Sequence, residues 1–279
     1  MATEATERKR SDLLFLIDTL LRAHPEVEGV VAVGSVGTGH AQITSDIDAI
    51  IFMDPVDHFI VPAESIWCPW DDSFHSIFIQ DERIQAEGIH LDAMLRDLGQ
   101  WSDQSFIWPE YDRAGLADGW IAYDRTSRVE RLIEARTSYD NATRISRLDE
   151  FILSVDNEIE QNDLERNWER YGPFVCFGRL DAVWDSIIAG LFAYNRRWRF
   201  HRDRESDFIC RLNWLPPNFQ ERFMDAVYGV SVNQDGYLRR ARKLQEISAE
   251  IITALKEEGL YGDDPASEAF IRSHADPGR

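Results

Sequence analysis

Residues Val30 to Phe52 read VVAVGSVGTGHAQITSDIDAIIF, and this stretch decides the fold of the first half of the chain. The apolar run Val27 to Val33 predicts a buried strand, and Gly34-Ser35 marks a turn directly after it. A polar, glycine-bearing loop from Val36 to Ser45 leads to a second apolar run, Ile47 to Met53. Side chains alternate along a strand, so Asp46 and Asp48 share one face while Ile47 points into the core. Two carboxylates so placed can jointly hold a divalent cation, and magnesium suits oxygen ligands supplemented by substrate phosphates. Gly34 lets the backbone approach a polyphosphate closely. The Ser35 hydroxyl and nearby amides then have phosphate oxygens within reach.

Outward from this segment, Leu13, Leu16, Ile17, Leu20 and Leu21 fall on one face of a helix predicted over Ser11 to Ala23, and His24-Pro25 ends it. Asp54-Pro55 breaks the second strand, and the stretch to Asp72 reads as loop. Further strand-like runs lie at Ser76–Gln80, Ile89–Leu95 and Trp120–Tyr123, before a helix over Ser127 to Thr137. From Asn141 the texture changes to helical spacing: Ile145, Leu148, Phe151, Ile152, Val155 and Ile159, then Phe177 to Leu191, then Leu238 to Leu255. The expectation is an α/β (α+β) domain with a mixed sheet over 1–139, an all-α helical bundle over 140–262, and a flexible polar tail over 263–279.

The Gly34-Ser35 turn, the variable loop and Asp46-Ile47-Asp48 resemble the signature of the DNA polymerase beta-like nucleotidyltransferase superfamily. Thr44-Ser45 before the acids is also typical of that family. The resemblance covers about residues 27 to 95. It implies a third carboxylate on a later, neighbouring strand, and Asp92 within GIHLDAML occupies such a strand; Asp81, Asp97 and Glu87 compete for the place. It further implies two magnesium ions held by Asp46, Asp48 and Asp92, with ATP or another nucleoside triphosphate as donor. Gly34, Ser35, Thr44 and Ser45 would then bind the nucleotide. The reaction implied is in-line attack on the α-phosphate, leaving a nucleoside monophosphate on the acceptor. In architecture the helical second half is similar to that of the antibiotic (aminoglycoside and lincosamide) nucleotidyltransferases. A small hydroxyl-bearing acceptor, selected by the helical domain, follows from that likeness, with AMP as the group moved. The alternatives are a protein-adenylylating regulator and a non-catalytic nucleotide- or partner-binding regulator such as an antitoxin.

Composition narrows the partners. The 279 residues are 44% apolar and 29% charged, which is the make-up of a folded chain. A net charge of −20 repels phosphate backbones, so a long nucleic acid is disfavoured and a cationic acceptor is welcomed. Three scattered cysteines and a charged N-terminus fit a cytoplasmic location, and no run is long enough to span a membrane. In the second half, Asn195 to Arg202 (NRRWRFHR) is a basic island. Arg196 and Arg199 either bind nucleotide phosphates or decorate a helix C-terminus. His90 and His40 fall near the acids without a ligand pattern, and Gly37-x-Gly39 lacks the third glycine of a dinucleotide fingerprint.

Overall fold

The computed structural model describes residues 2–160, 163–202, 204–228 and 231–275. The chain divides into two compact units, Met1–Ser138 and Tyr139–Arg279.

The first unit is a six-stranded mixed sheet with helices on both faces. Its strands are β1 (Val27–Ala32), β2 (Ile47–Met53), β3 (Glu64–Cys68), β4 (Ser73–His75), β5 (Ile89–Asp97) and β6 (Trp120–Asp124), in the order β4-β3-β5-β2-β1-β6. β1 pairs antiparallel with β2 and β6, and β2 pairs parallel with β5. The apolar runs explain these strands: β2 is buried at six of its seven positions, as a central strand covered on both sides requires. Strand alternation sorts the core into two layers. Ile47, Ala49, Ile51, Leu91 and Ala93 pack with Leu13, Leu16 and Ile17 of α1 (Glu4–Thr19). Val31, Ile50 and Phe52 pack on the other face against Leu98 and Trp101 of α4 (Leu98–Ser102), Leu116 of α5 (Glu110–Ala117) and Ile133 of α6 (Arg128–Thr137). Two further short helices are α2 (Gly34–Gly37) and α3 (Glu82–Glu87).

The sequence expectations need three corrections here. The stretch before Asp72 is not all loop, because Glu64–Cys68 forms β3 between β4 and β5. Ser76–Gln80 is not a strand; the short pairing falls one step earlier, at Ser73–His75. The first helix begins at Glu4, because the Thr3 hydroxyl caps it by accepting from the Thr6 amide.

The second unit is helical: α7 (Asn141–Val155), α8 (Leu164–Tyr194), α9 (Glu205–Ile209), α10 (Phe219–Tyr228), α11 (Gln234–Glu257) and α12 (Pro265–Ala275). A core of Leu148, Phe151, Leu180, Ile187, Leu244 and Ile251 joins α7, α8 and α11. α8 breaks at Gly172, where φ is +70°, followed by Pro173. The flexible end expected over 263–279 is corrected for Pro265–Ala275: α12 buries Ala269 against the core. Its Arg272 binds the buried Asp149 of α7 at 2.8 and 3.0 Å. Residues 276–279 of that predicted tail lie outside the described residues.

Candidate functional site

The site begins where β1 ends. Gly34 takes φ +57°, which an L side chain resists, and a Cβ there would lie 2.2 Å from Oδ2 of Asp48. The turn and the Asp48 carboxylate are therefore one packed unit that admits only glycine. The Val33 amide donates to the Asp48 carbonyl at 2.9 Å, which ties the turn to the start of β2. At Gly37 a Cβ would lie 2.4 Å from the Ala32 carbonyl oxygen, so the short α2 folds back tightly on the strand it leaves.

Helix α1 fixes the loop that follows. Arg10 donates to the carbonyls of Val36 (3.3 Å) and Gly37 (2.8 Å). The Thr3 hydroxyl donates to the Ala41 carbonyl at 2.8 Å, and the Ala41 amide donates to the Thr6 hydroxyl at 2.9 Å. Thr38 closes the turn by donating to the Gly34 carbonyl at 2.8 Å. Thr3, Thr6 and Arg10 carry no sequence signature for this work, since they act on a segment some thirty residues away in the chain.

The acids come together through strand register. On the parallel pair, Asp48 of β2 stands opposite Asp92 of β5; on the next pair, Asp92 stands opposite Glu64 of β3. Three carboxylates thus line up on adjacent strands, one per strand, on the face where Ile50 and Phe52 are covered further along. Cross-strand neighbours of this kind have Cβ atoms roughly 5 Å apart. Asp46, exposed, precedes this row at the mouth of β2. Burial raises the Asp92 carboxyl above the ordinary carboxylate range, and the charges of Glu64 and Asp46 push it further the same way. Glu64 is the member that sequence reading missed. Its meaning lies wholly in being opposite Asp92, which no local pattern reveals.

The competing acids are accounted for elsewhere. Asp81 caps α3, Asp97 caps α4, and Glu87 pairs with Arg83 at 3.1 Å. Ser45 turns back on Gln42, accepting from its amide at 3.0 Å, and Thr44 is exposed beside it. Ser35 is half-buried in α2. His90 lies opposite Ile66 on the same face as Asp92.

The two arginines belong to the helical unit. Arg196 is exposed, with φ +54°, and donates to Asn141 at 2.7 Å. Arg199 grips both carboxylate oxygens of Asp185, at 2.7 and 3.1 Å, and also donates to the buried Glu205. It therefore offers no bare guanidinium to a phosphate. Asp181 and Arg240 likewise hold each other at 2.6 Å.

The donor set suits a hard cation, being carboxylate oxygens crowded by like charge. As the side chains stand, no three His, Cys, Asp or Glu among the described residues gather tightly enough to grip a metal ion unaided. Magnesium commonly takes only one or two carboxylates and completes its shell with substrate phosphates and water, so this geometry fits a cation that arrives with a nucleotide.

Residues 16–97, which contain the Gly34 turn and all of β1 to β5, match the family described as Nucleotidyltransferase domain. This segment supports nucleotidyl transfer in general. No curated protein matches the chain. Among solved structures, a nucleotidyltransferase-like protein from Exiguobacterium sibiricum 255-15 is similar at 8% identity, covering 97% of this chain and 78% of that one with a TM-score of 0.43. Among the described residues, no helix is long and apolar enough to cross a membrane.

Proposed function

We propose that this chain is a magnesium-dependent adenylyltransferase that moves AMP from ATP to a hydroxyl of a small, cationic acceptor. The observation that carries the reading is the register of Asp48 beside Asp92, with Gly34 packed against the Asp48 carboxylate. In this reading Asp46, Asp48 and Asp92 hold the cation. When bound, magnesium neutralises phosphate charge and lowers the pKa of the attacking hydroxyl.

The chain's own groups do the rest. The Gly34-Ser35 turn brings backbone amides and the Ser35 hydroxyl to the triphosphate, and the contacts from Arg10, Thr3 and Thr6 hold that loop in place. Such prior fixing favours the transition state because little ordering remains to be done during the reaction. Asp92, whose proton affinity is raised by burial and by its acidic neighbours, is the group best suited to take the acceptor hydroxyl's proton. Acceptor choice is assigned to the helical unit, and a cationic acceptor matches the net charge of −20.

The test is incubation of the purified protein with α-labelled ATP, magnesium and a panel of amino-sugar and other polyol acceptors, followed by detection of labelled product and pyrophosphate. Transfer that needs magnesium and is lost in Asp46→Asn supports the reading. Label on the protein itself, or on an added protein, would turn it to protein adenylylation. Binding of ATP with no transfer to any acceptor would turn it to a non-catalytic regulator.

A further inference from the structure

The helical unit contains a cavity of its own. It measures about 440 Å³, opens to solvent, and is lined by residues of α8 and α10 and of the segment from Arg202 to Cys210 that contains α9. That volume lies within the range of small-molecule sites, roughly 300–1,000 Å³.

Its walls are aromatic. Trp184 of α8 meets Phe223 of α10 edge to face, with ring centroids 5.3 Å apart, and Phe223 stacks on Phe219 at 5.0 Å. Met224, half-exposed, forms part of the rim. Aromatic side chains lining one space of this size suit a flat aromatic guest.

The ion pairs at the cavity point to the charge of that guest. Glu205 lines the cavity, but Arg199 holds it, and the same guanidinium occupies both oxygens of the neighbouring Asp185. Arg202 is the cation among the lining residues, with its guanidinium 5.3 Å above the Trp184 ring and 70% of its side chain exposed. Its ion-pair contact among the described residues is a long one, 3.9 Å to Asp185. A planar guanidinium with five N–H donors, laid over an aromatic wall, is built to receive a planar oxyanion. We propose that this cavity binds a planar aromatic anion, an arene carboxylate or sulfonate, with its ring against the wall formed by Trp184, Phe219 and Phe223 and its oxyanion on Arg202.

A thiol on the cavity wall supplies the readout. Cys210 is exposed there, whereas Cys68 and Cys176 are buried. The full-length protein is titrated with 8-anilinonaphthalene-1-sulfonate by fluorescence, and iodoacetamide modification of Cys210 is followed by mass spectrometry in parallel. Saturable binding of one equivalent, slowed alkylation of Cys210 in step with occupancy, and displacement by 2-naphthoate are the results expected. Arg202→Gln, at a mostly exposed position, weakens binding about tenfold with an unchanged circular dichroism spectrum. Phe223→Ala, checked for folding the same way, also weakens it. Non-saturable binding, an unprotected Cys210, undiminished affinity in Arg202→Gln, or preferential displacement by 2-naphthylmethylamine would each overturn the proposal.

Discussion

Acidic side chains do opposite work in the two units. In the helical unit each prominent acid meets a guanidinium: Asp149 with Arg272, Asp181 with Arg240, Asp185 with Arg199, Glu258 with Arg144. Tyr261 adds a hydrogen bond of 2.7 Å to Asp149. On the sheet, Glu64, Asp92 and Asp48 stand side by side on consecutive strands, and the charges that act on Asp92 are those of other acids. Paired acids bind helix to helix. Acids gathered beside one another raise the energy of the folded state, and such an arrangement is the mark of a site completed by a ligand. The same residue type is structural where an arginine answers it and, in the proposed reading, chemical where another acid does.

Four substitutions break or sharpen this contrast. Asp48→Asn has the largest effect: nucleotidyl transfer falls by about 10³-fold or more while the protein stays folded. Activity and melting temperature measured on one preparation decide it, and a lowered melting temperature with retained activity would reverse the assignment. Asp149→Ala does the opposite. Removing the buried partner of Arg272 and Tyr261 costs about 3 kcal/mol of stability and frees α12, which denaturant titration and hydrogen exchange over Pro265–Ala275 will register.

Gly34→Ala joins both kinds of effect. The positive φ and the 2.2 Å approach to Asp48 predict a loss of about 2 kcal/mol together with a fall in turnover. Turnover unchanged after this substitution would separate the turn from the chemistry. The smallest effect belongs to Asp185, whose carboxyl is held below the usual range by hydrogen bonds from Arg199, against the opposing pull of burial. A carboxyl lowered in the folded state adds stability above its unfolded pKa and loses it as pH falls through the folded value. The stability gap between the wild type and Asp185→Asn therefore narrows below about pH 4, near the unfolded aspartate pKa, and widens to a plateau above it. Melting temperatures at pH 3 to 7 in constant salt check this, and a gap that grows toward acid would contradict it.

What the sequence made legible follows from where the information sits. β1 and β2 announce themselves because buried strands read as near-continuous apolar runs, Ile47–Met53 being interrupted only at Asp48, whereas β5 is read from its alternation and β6 is a short half-buried run. β3 stays hidden because Pro62 and Glu64 break the apolar pattern of Val61 to Cys68, and β4 has only three residues. α12 reads as a polar tail because its attachment is an ion pair to Asp149, more than a hundred residues earlier in the chain. The site shows the same division. Gly34, Asp46 and Asp48 lie in one segment with a readable spacing, and Asp92 needs the strand it occupies to be recognised. Glu64 becomes visible only through the β3–β5 register, and Arg199 reveals its carboxylates only when α8 and α9 are folded.

The most direct test of the central claim, that the acids beside the Gly34 turn form a magnesium–nucleotide site, is isothermal titration of ATP into the wild type with magnesium, with EDTA, and into Asp46→Asn with magnesium. Saturable binding with magnesium that disappears in EDTA and in Asp46→Asn is the predicted result. Equal binding in all three would contradict the account, because the triphosphate would then be held without the cation and without the acids.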